Sequence, residues 1–202
     1  MMKCQFSIFI YEDLLSEVIV KTILRFKKPH LLNMGTFLPG NGYGTIRKNL
    51  KSYNKTAKSG CIFIFTDLDQ FKCPPNLISN WAGTVKLNEK LVFCIAIKEI
   101  ETWLMASRTA FSKYLGIKTN HIPQNIEDIP DPKAFLFTLV RKSPHKSLKK
   151  DILPDPKNSA KIGKGYNHAL TRFVVNYWDI EEAKNNSLSL SRTIKKIAAI
   201  SL

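Results

Sequence analysis

The chain has 202 residues, 44% of them apolar, with 31 Lys and Arg against 16 Asp and Glu. An apolar fraction near the globular average excludes a disordered chain, and a chain of this length buries roughly 70% of its unfolded surface and needs no disulfides to fold. The formal net charge of +15 repels itself and adds nothing to stability, so it suits a polyanionic partner such as nucleic acid.

Phe6 to Tyr11 is a short apolar run rich in β-branched and aromatic residues, and it reads as a buried strand ending at Glu12 and Asp13. It lacks a signal peptide's small-residue cleavage site. Leu14 to Phe26 carries apolar residues at helical spacing, with Asp13 placed to cap it and Pro29 to stop it. Residues 35–44 hold four glycines and one proline and read as a loop, but not as a phosphate-binding P-loop. Residues 45–58 are polar and basic with a modest helical pattern. Cys61 to Thr66 is the strongest strand, a continuous apolar run of the kind buried on both faces, and Asp67-Leu68-Asp69 follows directly.

Leu77 to Trp81 reads as a helical turn, and Lys90 to Ile97 as a third central strand. Residues 99–115 look helical, with Gly116 as the stop. Three prolines make 118–133 loop-like, and helix returns from Ala134 to Val140. Residues 141–164 carry eight Lys and Arg but only two acids. Short helices follow at 169–177, 179–183 and 191–199. This order predicts an α/β fold, a mostly parallel sheet flanked by helices. We expect a catalytic core over 1–117 and a helical, basic extension over 118–202, packed as one compact unit. The four cysteines are scattered without a CxxC, which argues against zinc, and Cys61 and Cys94 lie inside apolar runs. Buried free thiols in a reducing cytoplasm are therefore expected. No apolar stretch approaches the roughly 18 residues a membrane span needs.

Open α/β sheets bind ligands at the carboxyl ends of their strands, and three predicted strands end in acids. The first gives Glu12, with Glu17 further along the helix; the second gives Asp67 and Asp69; the third gives Glu99 and Glu101. Carboxylates crowded into one crevice raise each other's pKa unless a cation sits among them, and hard divalent cations such as Mg²⁺ or Mn²⁺ take oxygen ligands. If the chain stays extended past Thr66, Asp67 and Asp69 share a side. Glu99 and Glu101 share one if extended, and diverge by about 200° if helical.

These residues, with the strings YEDLLSE (11–17), FIFTDLDQFKCPP (63–75), AIKEIETWLMAS (96–107), IPDPKAFL (129–136), GYNHALTRFV (165–174) and SLSLSRTIKKI (187–197), resemble the TOPRIM catalytic domain. They resemble most the small stand-alone TOPRIM-like proteins encoded beside ATPases in bacterial anti-phage loci, and are near the overcoming-lysogenization-defect nucleases. The resemblance covers nearly the whole chain. It implies phosphodiester hydrolysis with Mg²⁺ or Mn²⁺, by a toxin-like effector working with an ATPase partner. By that resemblance Glu12 is a metal ligand or general acid/base, Asp67 and Asp69 hold the metal, Glu101 completes the acidic cluster, and Lys133 contacts the scissile phosphate. The chain departs from topoisomerase-type domains at Phe71, where a third acid is common, and it shows no tyrosine nucleophile in a companion domain.

The basic segment is a natural phosphate-contacting stretch through Lys142, Lys146, Lys149, Lys150, Lys157, Lys161 and Lys164, with Gly163 and Gly165 allowing close backbone approach. Two other classes stay open. A HAD-like phosphohydrolase also opens on a strand followed by DxD, with the first Asp as nucleophile. A non-catalytic nucleic-acid-binding or regulatory subunit would keep the fold and the charge without the chemistry.

Overall fold

The computed structural model describes residues 2–157 and 159–201. Two compact units divide the chain, one of residues 1–100 with 189–202 and one of residues 101–188.

The first unit is α/β. In chain order it contains β1 (Met2–Lys3), β2 (Ser7–Tyr11), α1 (Leu14–Lys27), α2 (Leu31–Met34), β3 (Thr36–Pro39), α3 (Tyr43–Lys48), α4 (Leu50–Thr56), β4 (Cys61–Asp67), α5 (Pro74–Ala82) and β5 (Leu91–Ala96). The second unit is helical: α6 (Glu101–Ala106), α7 (Arg108–Leu115), α8 (Pro132–Lys142), α9 (Lys146–Ile152), α10 (Tyr166–Asn176) and α11 (Ile180–Asn186), with single 3-10 turns at Thr119–His121 and Ile126–Asp128. The chain then enters α12 (Leu188–Ala198) and ends in β6 (Ile200–Ser201), which pairs in parallel with β1.

Four parallel strands form the sheet in the order β3-β2-β4-β5. The two middle strands are hydrophobic on both faces because both faces are covered. One parity of residues, Ile10, Ile62, Ile64, Leu91, Phe93 and Ile95, joins Ile46, Leu50, Leu77 and Trp81 of α3–α5 in one core cluster. The opposite parity stacks Phe9 on Phe63, ring centroids 5.2 Å apart. On β5 the thiol of Cys94 meets Thr193 and Lys196 of α12, and complete burial pushes its pKa up to about 12. This thiol is an inert core group, as its apolar run predicts.

Local signals act as expected at several ends. The Asp13 carboxylate accepts the Ser16 N–H at 2.8 Å and caps α1. Asp131 does the same for α8 through Ala134 N–H at 2.8 Å. Gly116 closes α7 in the left-handed conformation, φ 68°.

Three expectations are corrected. Residues 36–39 are an edge strand rather than loop: Thr36, Phe37, Leu38 and Pro39 pair with Ile8 through Tyr11. A four-residue strand ending in proline between glycines carries too little periodicity to be seen, and an edge is where proline is tolerated. The helix expected over 99–115 begins at Glu101 and breaks at Ser107. Lastly, Cys61 is not a free thiol. Parallel pairing of Ser7 with Cys61 brings the segment before β2 alongside the start of β4, and Cys4 and Cys61 form a disulfide with Cα atoms 5.6 Å apart.

That disulfide closes a loop with a sequence separation of 57, for which chain entropy gives a stabilisation of about 4 kcal/mol. Alkylation in denaturant without reductant should therefore label only Cys73 and Cys94, and labelling of all four cysteines would refute the pairing. Reductant should lower the melting temperature by several degrees, at roughly 2–4 °C per kcal/mol for a chain of this size.

Candidate active site

The register of β2 on β4 pairs Ile10 with Ile64, so the two strands end level. Glu12 leaves β2 beside the end of β4. Its Oε1 accepts the Thr66 hydroxyl and, at 3.3 Å, the Asp67 N–H. Its main chain is held from the other side. The Gly40 N–H donates to Tyr11 C=O at 2.7 Å and the Gly42 N–H to Glu12 C=O at 3.1 Å. A Cβ at Gly40 would fall 2.3 Å from the Ile46 side chain. The glycine-bearing segment therefore cradles the glutamate's backbone.

Asp67 is the last residue of β4, and Leu68 turns inward to join the core cluster. The backbone then bends sharply. Asp69 has φ +48° and Lys98, after β5, has φ +63°. The two bends hold each other, Leu68 N–H donating to Ala96 C=O at 2.9 Å and Asp69 N–H to Lys98 C=O at 2.8 Å. Left-handed geometry at non-glycine residues costs of order 1 kcal/mol or more and collects at functional sites. The alternation that would align Asp67 and Asp69 in an extended chain thus stops at Asp67; the left-handed turn, not the pleat, sets the direction of Asp69.

Electrostatics tie Glu12 to Asp69 and Asp13. Burial raises the pKa of Glu12 above the ordinary glutamate value. The hydrogen bonds from Thr66 and Asp67 oppose the rise, while the charges of Asp69 and Asp13 add to it. Glu17 lies a turn into α1, its carboxylate 2.5 Å from Lys21 Nζ. It also accepts the Tyr11 hydroxyl; burial first, then the Glu17 charge, raises that phenol's pKa. Glu99 is half-buried in the turn after β5, its N–H donating to Ile97 C=O at 3.0 Å.

In the second unit Glu101 opens α6 and is only 3% exposed. Its Oε1 accepts the Tyr166 hydroxyl at 2.5 Å and lies 3.5 Å from Lys133 Nζ. Lys133 is placed by the Asp131 cap and Pro132 at the start of α8. Buried carboxylates need such partners.

The lysines divide by location. Lys142 ends α8, with Nζ 3.3 Å from His121 Nδ1. Lys146, Lys149 and Lys150 ride on α9, while Lys157, Lys161 and Lys164 lie on the exposed stretch before α10. Gly163 and Gly165 do approach backbone closely, but the backbone is the protein's own. Their N–H groups donate at 3.0 Å to Ile152 and Asp151 C=O, and a Cβ at Gly163 would fall 2.2 Å from Asp151 O. Close packing, not substrate approach, accounts for these glycines.

Sequence reasoning assigned no role to Thr66 or Tyr166. Thr66 precedes the DxD directly, and Tyr166 opens the GYNHA string. Both are hydroxyl donors to a carboxylate far away in sequence, and only tertiary pairing reveals that. Among the described residues, no group of three His, Cys, Asp or Glu side chains stands ready-made at metal-holding spacing. The donor chemistry nonetheless fits a hard divalent cation, for the strand-end acids offer only oxygen, and Glu12 carries a desolvation and repulsion penalty that an adjacent cation would relieve.

No protein-family model and no curated protein matches the chain. Among solved structures it is similar to the C-terminal region of the Burkholderia pseudomallei OLD protein, at TM-score 0.51 and 13% identity over 96% of this chain and 98% of that one. The C-terminal region of the Xanthomonas campestris pv. campestris OLD protein gives TM-score 0.42 and 16% identity over 95% and 93%. The likeness is one of fold: an all-parallel four-stranded sheet flanked by helices, similar to the C-terminal region of the Burkholderia pseudomallei OLD protein.

Two substitutions test the site's energetics. Glu12→Gln keeps an acceptor for Thr66 and Asp67 but removes the penalised charge. A raised native pKa means that ionisation destabilises the fold, and the loss grows as pH rises from the unfolded value, about 4.3. In EDTA at pH 7 the variant should melt higher than wild type, and the gain should vanish as pH falls below about 4.3. Tyr166→Phe removes a donor from a buried carboxylate and should destabilise by about 1–3 kcal/mol in denaturant titrations.

Proposed function

We propose that this protein is a divalent-metal-dependent nuclease that hydrolyses phosphodiester bonds of DNA or RNA. The observation that carries this reading is the strand-end crevice. Glu12, with raised proton affinity, sits against the Thr66-Asp67 end of the neighbouring parallel strand, and Asp69 follows on a strained turn. The OLD-like fold and the net charge of +15 support it.

Glu12, Asp67 and Asp69 would hold Mg²⁺ or Mn²⁺, which when bound supplies Lewis-acid polarisation of the phosphate and a more acidic water. Glu17 and Glu99 are the further acids of the same unit that a two-ion arrangement would draw on, and Glu101 is a candidate by the sequence resemblance alone. Glu12 anchors Oε1 on Thr66 and Asp67, which leaves Oε2 as the atom that exchanges a proton. As general base that carboxylate would accept a proton from the attacking water and return it to the leaving oxygen. As water's oxygen bonds to phosphorus, the bond to the leaving ribose oxygen breaks, and charge grows on the non-bridging oxygens. The cation for that charge is, by the sequence resemblance alone, Lys133. The lysines of 142–164 would add sequence-independent, salt-dependent affinity for the phosphate backbone.

Two finer elements of the proposal come from the sequence resemblance: a separate ATPase working with this chain, and a role as effector in defence against phage. Among the described residues no helix is long and apolar enough to cross a membrane.

The test is cleavage of mixed single- and double-stranded DNA and RNA with Mg²⁺ or Mn²⁺, with and without the proposed ATPase partner. Wild type should cleave, and Asp67→Ala/Asp69→Ala should lose at least roughly 100-fold of the rate. No cleavage under any condition, with salt-dependent binding intact in both proteins, would replace the nuclease by a binding subunit. An acid-stable phosphate on Asp67 would replace it by a phosphohydrolase.

A further inference from the structure

The second unit carries a feature outside the acidic residues and outside the lysines of 142–164. Tyr114 and Tyr177 lie with ring centroids 5.3 Å apart, and the Arg172 guanidinium carbon stands 5.9 Å from the centre of the Tyr114 ring. Tyr114 is fixed. Its hydroxyl donates to Ala169 C=O at 2.9 Å and accepts from Arg172 Nη2 at 3.2 Å, and its ring packs on Phe173 at 5.3 Å. Tyr177 is anchored by its backbone, its N–H on Phe173 C=O at 2.9 Å, yet its side chain is 52% exposed. An exposed ring packed on a fixed tyrosine that also carries a guanidinium has no role in a core.

These rings border an open hollow of about 380 Å³, which Lys113 and His145 also line. Across α9 a second hollow of about 640 Å³ is lined by Arg141, Lys149, Lys150 and Lys164. One short helix, α9, therefore lines both an aromatic hollow with cations at its rim and a largely apolar one edged by these four cations and by Asp151 and Asp155. A nucleic-acid strand presents this pairing, a planar base next to a chain of phosphates.

We propose that the Tyr177 and Arg172 platform stacks an unpaired nucleobase, so that this unit selects single-stranded nucleic acid, with phosphates on Lys113 and on Lys149, Lys150 and Lys164 at the hollow that α9 also lines. A base within a duplex already stacks on its neighbours and cannot use the platform. The inference deepens the nuclease reading by naming its substrate class, and it rests on that reading's nucleic-acid partner.

The test is binding, measured in EDTA so that it does not depend on cleavage. Fluorescence anisotropy compares labelled 12-nucleotide single-stranded DNA and RNA with a duplex of the same sequence. Tyr177→Ala should weaken single-strand binding roughly tenfold, Tyr177→Phe should restore it, and duplex binding should stay the same in all three proteins. Because Tyr177 is exposed, the melting temperature of both variants should match wild type. Unchanged single-strand affinity in Tyr177→Ala, an equal loss on duplex, or displacement of the strand by polyglutamate as readily as by nucleic acid would overturn the proposal while leaving the nuclease reading intact. Failure of wild type to bind any nucleic acid would overturn both. Loss of cleavage with single-strand selectivity intact would strike the nuclease reading alone.

Discussion

The parallel register of β2 on β4 is the constraint on which the strand-end site depends. Parallel strands need both faces covered, and their common direction brings their carboxyl ends to one edge. Ile10 opposite Ile64 makes the two ends level, and that alone puts the Glu12 carboxylate on Thr66 and Asp67. A slip of one residue would turn every side chain of the strand to the other face. Phe9 would then lose its stack on Phe63, and Ile10 its place among Ile62, Ile64 and the residues of α3–α5. The core thus enforces the site's geometry.

The same edge shows how the fold holds unfavourable features in place. Asp69 and Lys98 adopt left-handed backbone and lean on each other through main-chain hydrogen bonds. Glu12 is buried enough to resist ionisation while standing near two other acids. Neither feature stabilises the chain. Each is affordable because the strands beneath are fully buried and the glycine-bearing segment 40–42 is bonded to the backbone of Tyr11 and Glu12. Strain and charge crowding at one edge of an otherwise well-packed sheet is the pattern expected where selection acts on chemistry rather than stability.

The second unit manages charge differently. Glu101 is buried, yet a tyrosine hydroxyl and a lysine meet it. The excess positive charge lies instead on exposed side chains along α9 and the stretch leading to α10. Glycines 163 and 165 let that stretch press against the end of α9, so the lysines are presented from a shaped surface rather than a loose tail. Arg172 and the two tyrosines extend this surface with a different chemistry.

What the sequence determined by itself follows from periodicity and local capping. Continuous apolar runs at 61–66 and 90–97 read as central strands of a covered sheet, and acids directly after such runs fall at its carboxyl edge; 61–66 is central, but 90–97 holds the edge strand β5, apolar because α12 as well as the core cluster covers it. Asp13 and Gly116 capped helices where their own backbone preferences predict. The elements that escaped notice were those with little local signal. The edge strand 36–39 is four residues long between glycines, and the break at Ser107 lies inside a helical pattern. Tertiary structure alone decided the rest. Nothing near Cys4 announces Cys61, nothing near Glu101 announces Tyr166, and Thr66 reads as a strand residue until Glu12 arrives beside it. These partners lie 54 or more residues apart, and the hydrogen-bonding and packing that join them exist only once the sheet and the helical unit have formed. Residue type and spacing name the chemistry available; only the register of packed elements selects which groups meet.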